Sequence, residues 1–146
     1  MALMAMIMVT VSVGTYYSET SMDGADTVEV NFLSMTANIG GTTSSSQTWY
    51  IMASGFLAVG LLTYSITQYK NRLLQMKLGA VISAVIAGNA IAIVVSANKA
   101  DALIANGLVG FHYAYYMPIA ALLLNMISNR LIRKDEQMVR SMDRLR

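Results

Sequence analysis

No cysteine occurs anywhere in the chain, which removes disulfide staples, zinc–thiolate sites and thiol nucleophiles from consideration. Charge is scarce too. Asp, Glu, Lys and Arg make up 12% of the residues, against about 25% in an ordinary soluble domain. A soluble fold of this length needs more charge to cover its surface, whereas a bilayer accepts an apolar exterior. The single histidine cannot supply bis-His haem ligation, and a zinc site would need ligands the chain barely has. A net charge of +2 is too small to point to nucleic acid. One proline and no low-complexity tract argue against disorder.

What is present is apolar sequence. The 146 residues are 55% hydrophobic with a mean hydropathy of +0.51, and the length suits a single domain, 1–146. Residues 1–17 carry no charge and have neither the basic start nor the cleavage site of a secretory signal. Crossing about 30 Å of hydrocarbon takes about 20 residues. The run therefore reads as a short first span whose beginning is expected to lie outside this chain. Residues 18–48 are polar and acidic, with Glu19, Asp23, Asp26 and Glu29 and no Lys or Arg. Val28, Val30 and Phe32 alternate with Glu29 and Asn31, which is strand periodicity. Asn38-Ile39-Gly40-Gly41 and then Thr42 to Ser46 read as turn and loop, so a small β-hairpin on the membrane surface is expected here.

Three further spans are expected at about 49–69, 78–97 and 108–129, the first of them bounded by Trp49, Tyr50 and Tyr69. Nine of the ten Lys and Arg fall in the connection 70–77 and the tail 130–146; Lys99 is the tenth. The positive-inside rule puts those two segments in the cytoplasm and the acidic loop outside. With four spans, both termini are cytoplasmic. The expected fold class is therefore all-α: an integral-membrane bundle of four transmembrane helices, with a small extracytoplasmic loop or hairpin and a cytoplasmic helical tail.

The last span carries a stripe of small and polar residues, Gly107, Gly110, Ala114, Pro118, Ala121, Asn125 and Ser128, at helical spacing. Small residues allow close backbone approach, and amides bond across helices in lipid. The stripe reads as a helix-packing seam; a pore lining or ligand groove is the alternative. The 78–97 segment offers a matching surface with Gly79, Ser83 and Ala87. Pro118 deprives the Ala114 carbonyl of its helical donor and is expected to bend the helix. Asn89 and Asn125 read as interhelical links. No Asp, Glu, Lys or Arg lies deep in a span, which counts against an ion-coupled carrier. His112 and the tyrosines 113, 115 and 116 read as an interfacial aromatic belt. No catalytic constellation is visible, so no catalytic, cofactor-binding or metal residue is nominated. In the tail, Arg133, Lys134, Arg140, Arg144 and Arg146 surround an apolar face, which suits either anionic headgroups or a docking partner.

Ile132-Arg133-Lys134-Asp135-Glu136, then Val139-Arg140-Ser141, then Asp143-Arg144-Leu145-Arg146, make up a terminal pattern. Together with Lys70-Asn71-Arg72, Gln75 and the placement of Pro118, it resembles the Bacteroidota membrane family known as domain of unknown function 4293. The specific residues of the resemblance are confined to 70–77 and 116–146. The family usually opens with a short polar and basic stretch, which this chain lacks. The resemblance implies a bacterial inner-membrane protein and no particular activity. The resulting expectation is a non-enzymatic accessory or scaffold subunit of a larger inner-membrane assembly, without a cofactor. Its partners would be the lipid bilayer and other membrane subunits or further copies of itself. The alternative is a small transporter or channel protomer working as an oligomer.

Overall fold

The computed structural model describes residues 14–68, 71–104 and 107–143. They form β1 (Thr15–Thr20), β2 (Thr27–Asn31), β3 (Ser34–Ile39), β4 (Thr42–Gln47), α1 (Trp49–Thr67), α2 (Arg72–Asp101), β5 (Leu108–Phe111) and α3 (Tyr113–Asp143). The all-α expectation is overturned: three helices stand with a five-stranded antiparallel sheet of order β4-β3-β2-β1-β5. Residues 1–13 of the expected first span lie outside the described residues. Thr15–Tyr17, its expected end, belong to β1.

The sheet arises from β-branched and aromatic residues joined by tight turns. Gly40 and Gly41 both have positive φ, 58° and 75°, giving the two-residue turn whose twist matches a hairpin. Asp26 braces that turn by accepting the Gly40 N–H at 2.8 Å. In β2 the inward Val28 and Val30 are buried while Glu29 is exposed. In β1 the register against β2 slips between Thr15 and Tyr17. This bulge turns two consecutive residues, Tyr16 and Tyr17, into the core together. Thr48 ties the start of α1 to the β2–β3 turn, donating its N–H to Leu33 O and its hydroxyl to Asn31 O, both at 2.9 Å.

α2 lies between α1 and α3. At 1.5 Å per residue its 30 residues extend about 45 Å, beyond the hydrocarbon of a bilayer. The surplus is used at one end. Ile93, Ala97 and Ala100 of α2 join Ile51 of α1, Ala114 of α3 and the inward face of the sheet in one core. A second core lies farther along the helices, made by Ala58, Leu62, Ile82, Ile86 and Ala121. The sheet therefore caps one end of a three-helix layer.

Among the described residues, two helical segments, Trp49–Thr67 and Leu73–Asp101, are long and apolar enough to cross a membrane. The α3 helix is not, because Tyr113, Tyr115, Tyr116, Pro118, Asn125 and Asn129 dilute its apolar stretch. Its first expected residues, Leu108–Phe111, are strand β5 paired with β1. A short apolar run of this kind fits strand or helix equally by periodicity. Here the free edge of β1 took it.

Candidate functional site

The richest cluster of titratable groups lies where β1 meets the end of α2. Tyr17 points inward from β1 and donates its phenol proton to Glu19 Oε2 at 2.8 Å; Asp101 Oδ1 lies 3.4 Å from the Tyr17 phenol oxygen. A phenol has one proton, so the short bond to Glu19 is the effective one and Asp101 is a marginal acceptor. Glu19 is only 2% exposed, an unusual position for a carboxylate. Burial, then the Glu19 carboxylate, push the Tyr17 phenol well above its ordinary range, so it stays a neutral donor. Next to it, Tyr16 meets Ser96 Oγ at 2.6 Å, and burial pushes its phenol up to about 12 despite that hydrogen bond. A cavity of about 290 Å³ opens beside Tyr17, walled by Asp101, Asn98, Val109, Phe111 and Tyr115. Phe111 packs against Tyr17 and Tyr115 with ring centroids 5.6 and 4.7 Å away. Chemically the cluster holds a buried carboxylate with a phenol, and mechanically it clamps the sheet to α2.

On the opposite face of β1, Ser18 Oγ lies 3.0 Å from His112 Nε2. A serine beside a histidine is the start of a nucleophile–base arrangement. The pair is a cross-strand contact in the open, and among the described residues no carboxylate bonds the second ring nitrogen. It reads as a tie between β1 and the residue that follows β5.

The nominated seam residues divide in two. Gly107 and Gly110 are not helical. A Cβ on Gly107 would strike the Glu19 side chain, 2.5 Å from Oε1, and one on Gly110 would lie 2.9 Å from Ser18 Oγ. Their smallness makes room for side chains of β1. Ala114, Pro118, Ala121 and Asn125 lie buried along α3. Asn125 Nδ2 donates to Gly79 O and to Ser83 Oγ of α2, each at 2.8 Å. Gly79 has no Cβ because the Asn129 side chain fills that space. Asn89 makes the same kind of link from α2 to α1, donating to Ile51 O at 2.8 Å and Ser54 Oγ at 2.7 Å. Ala87 is half-buried on α2.

The whole chain bar its last residue, 1–145, matches the family described as Domain of unknown function (DUF4293). The chain belongs to that family. No curated protein and no solved structure matches it. The DUF4293 description names no activity, so chemistry has to be argued from this chain alone. In the DUF4293 tail, Arg133 and Lys134 are exposed on α3, and Arg140 lies farther along the same helix. Arg144 and Arg146 fall outside the described residues. Sequence reasoning missed Tyr16, Tyr17, Glu19, Ser96 and Asp101. The available signal was Tyr16-Tyr17-Ser18-Glu19-Thr20, a β-prone run that was divided between an expected span and a loop.

Proposed function

We propose that this DUF4293 chain is a non-enzymatic accessory or scaffold subunit of a larger bacterial inner-membrane assembly. The observation that carries the reading is the outer edge of the sheet, strand β4. All six of its residues, Thr42 to Gln47, are exposed; none is charged and none is proline. Natural edge strands usually carry charge, proline or a bulge that stops another strand from pairing, and β4 has none of these among its residues. The two-residue Gly40-Gly41 turn makes Ile39 and Thr42 the first hydrogen-bonded pair. Thr43, Ser45 and Gln47 then direct their backbone groups to the free edge, where an extended partner segment can add as a further strand.

The membrane reading is supported by burial. Only 28% of each apolar window in α1 and α2 is buried, whereas a core helix of a soluble protein is mostly covered. Phe56, Leu57, Val81 and Ile91 point outward, and α3 continues that belt with Ile119, Leu123, Met126 and Ile127. The basic residues 77, 130, 133 and 134 gather at the end away from the sheet. That end faces the cytoplasm, so the sheet is extracytoplasmic. The family resemblance adds a Bacteroidota source. A transporter or channel protomer would need the Gly107-to-Ser128 face to line a path; the bonds from Asn125 of that face to Gly79 and Ser83 of α2 favour the packing reading.

The test is purification of the full chain in mild detergent, with co-purifying membrane proteins identified by mass spectrometry, beside Ser45→Pro. Proline at 45 removes an edge-directed N–H and leaves the β3 ladder intact. The expected outcome is that partners are lost from Ser45→Pro while its thermal melt is unchanged. A wild-type chain that purifies alone as a monomer, or a Ser45→Pro chain that keeps every partner, overturns the proposal. Orientation is checked separately with an impermeant thiol reagent on intact spheroplasts. Ser45→Cys should react directly and Asn71→Cys only after permeabilisation.

A further inference from the structure

Two openings flank the contact between α2 and α3 at the end remote from the sheet. One, of about 530 Å³, is walled by Leu73, Met76, Lys77, Arg133 and Glu136 among others. The other, of about 510 Å³, lies between Ala80, Ser83, Met126, Asn129, Arg130 and Arg133. Arg133 and Ala80 belong to both. Each opening therefore has two cations, Lys77 with Arg133 in one and Arg130 with Arg133 in the other. Glu136 is the only acid in either wall.

The placement of these cations along the helices matters as much as their number. Residues 78–97 of α2 and 114–129 of α3 carry no charge, and Lys77 and Arg130 are the first charged residues beyond those runs. Below the cations the walls are apolar or small, with Ala80 and Met126 exposed. Such an opening offers two cations at headgroup depth and an apolar trough leading into the hydrocarbon. A guanidinium presents paired donors that match phosphate oxygens, and an ammonium adds a point charge.

We infer that the two openings between α2 and α3 bind the phosphodiester headgroups of anionic phospholipids, with Arg133 shared between them and acyl chains lying against Ala80 and Met126. Basic pockets between transmembrane helices on the cytoplasmic side are a known mode of binding acidic headgroups. Lipid is the committed occupant, because the apolar trough below the cations has no use for a free anion. The inference rests on the membrane reading above. It goes beyond it by specifying which lipid chemistry is held and by which residues.

The full chain is inserted into nanodiscs of mixed phosphatidylcholine and phosphatidylglycerol, released by mild detergent, and its retained lipid read by native mass spectrometry. Wild type should keep phosphatidylglycerol in preference to phosphatidylcholine. The double variant Lys77→Gln/Arg133→Gln should weaken retention roughly fivefold per cation removed, with an unchanged thermal melt. Lys99→Gln removes a charge from an exposed position at the other end of α2, outside both openings, and should leave retention as in wild type. Equal retention of the two lipids, a double variant that binds as wild type does, or a Lys99→Gln loss as large as the double variant's overturns the inference. So does inorganic phosphate alone protecting the delipidated chain as well as phosphatidylglycerol. A chain that stays soluble without detergent and never enters the nanodisc defeats the membrane reading itself. Insertion without lipid preference defeats only the lipid site.

Discussion

The sheet end and the helix end of this molecule differ in which side chains they leave exposed. At the sheet end the large residues go inward: Tyr16, Tyr17 and Phe32 are buried, while Glu29, Thr43 and Ser45 face out. Along the helices small and polar groups go inward beside Leu62, Ile82 and Ile86. Gly79, Ala121 and Asn125 are buried, while Ile91 and Leu123 are 64% and 56% exposed. Water explains the first pattern, since it drives apolar area out of contact with itself. On the membrane reading proposed above, lipid explains the second. Tails as apolar as leucine give no reason to hide leucine, so close backbone approach and amide links decide what faces inward. An exposed position therefore has a different meaning at each end.

The comparison breaks most visibly at Tyr16. Truncation to alanine removes a fully buried ring, its 4.9 Å contact with Phe32 and its bond to Ser96. The expected loss is ~3–5 kcal/mol of stability, measured by denaturation in detergent. A loss below that of a surface change would mean the sheet core is not where the burial lies.

Lysine scanning tests the two solvents directly. Ile91→Lys should cost ~3 kcal/mol, the insertion penalty of a charge at mid-bilayer, although residue 91 is exposed. Ser45→Lys, also exposed, should stay within about 0.5 kcal/mol. Equal effects at 91 and 45 would show that both positions face the same solvent and would remove the contrast.

A smaller effect, ~1–3 kcal/mol, is expected for Gly107→Ala, whose methyl would meet the Glu19 side chain. Pairing the change with Glu19→Ala should recover most of the loss, because the obstructing carboxylate is then gone. Failure of that rescue in a double-mutant cycle would separate Gly107 from Glu19.

The smallest effect near neutral pH is that of the tyrosines. The Tyr16 phenol titrates near 12 in the folded chain against 10.0 for an ordinary phenol. Below about pH 10 both states keep the proton, and Tyr16 contributes no pH dependence. Between about 10 and 12 the unfolded chain loses its proton while the folded one retains it, so stability falls as pH rises. Tyrosinate absorbance should accordingly show phenols that ionise only together with unfolding. Complete ionisation of all eight tyrosines near pH 10 in the folded chain would contradict the burial of the β1 pair.

The sequence by itself determined that apolar helical segments lie within α1 and α2, that basic residues cluster at one end, and that 28–32 has strand periodicity. Each is local: a long uncharged apolar run has few alternatives, and alternation over five residues has a period a helix does not share. The sequence did not show that α2 begins at Arg72, inside the expected connection, or that Thr42–Gln47 is a strand. Only the tertiary structure decided the fate of the two short apolar segments. Thr15–Tyr17 and Leu108–Phe111 are apolar enough for either helix or strand; the first became a strand by pairing with β2, and the second because Tyr17–Thr20 supplied a partner about ninety residues away. Gly107 and Gly110 fell on the helical spacing of the α3 stripe by coincidence, while their true constraint is the side chains of β1 opposite them. Tyr17, Glu19 and Asp101 meet for the same reason. Their proximity depends on the bulge in β1 and on the length of α2, and neither is encoded by a spacing that could be counted along the chain.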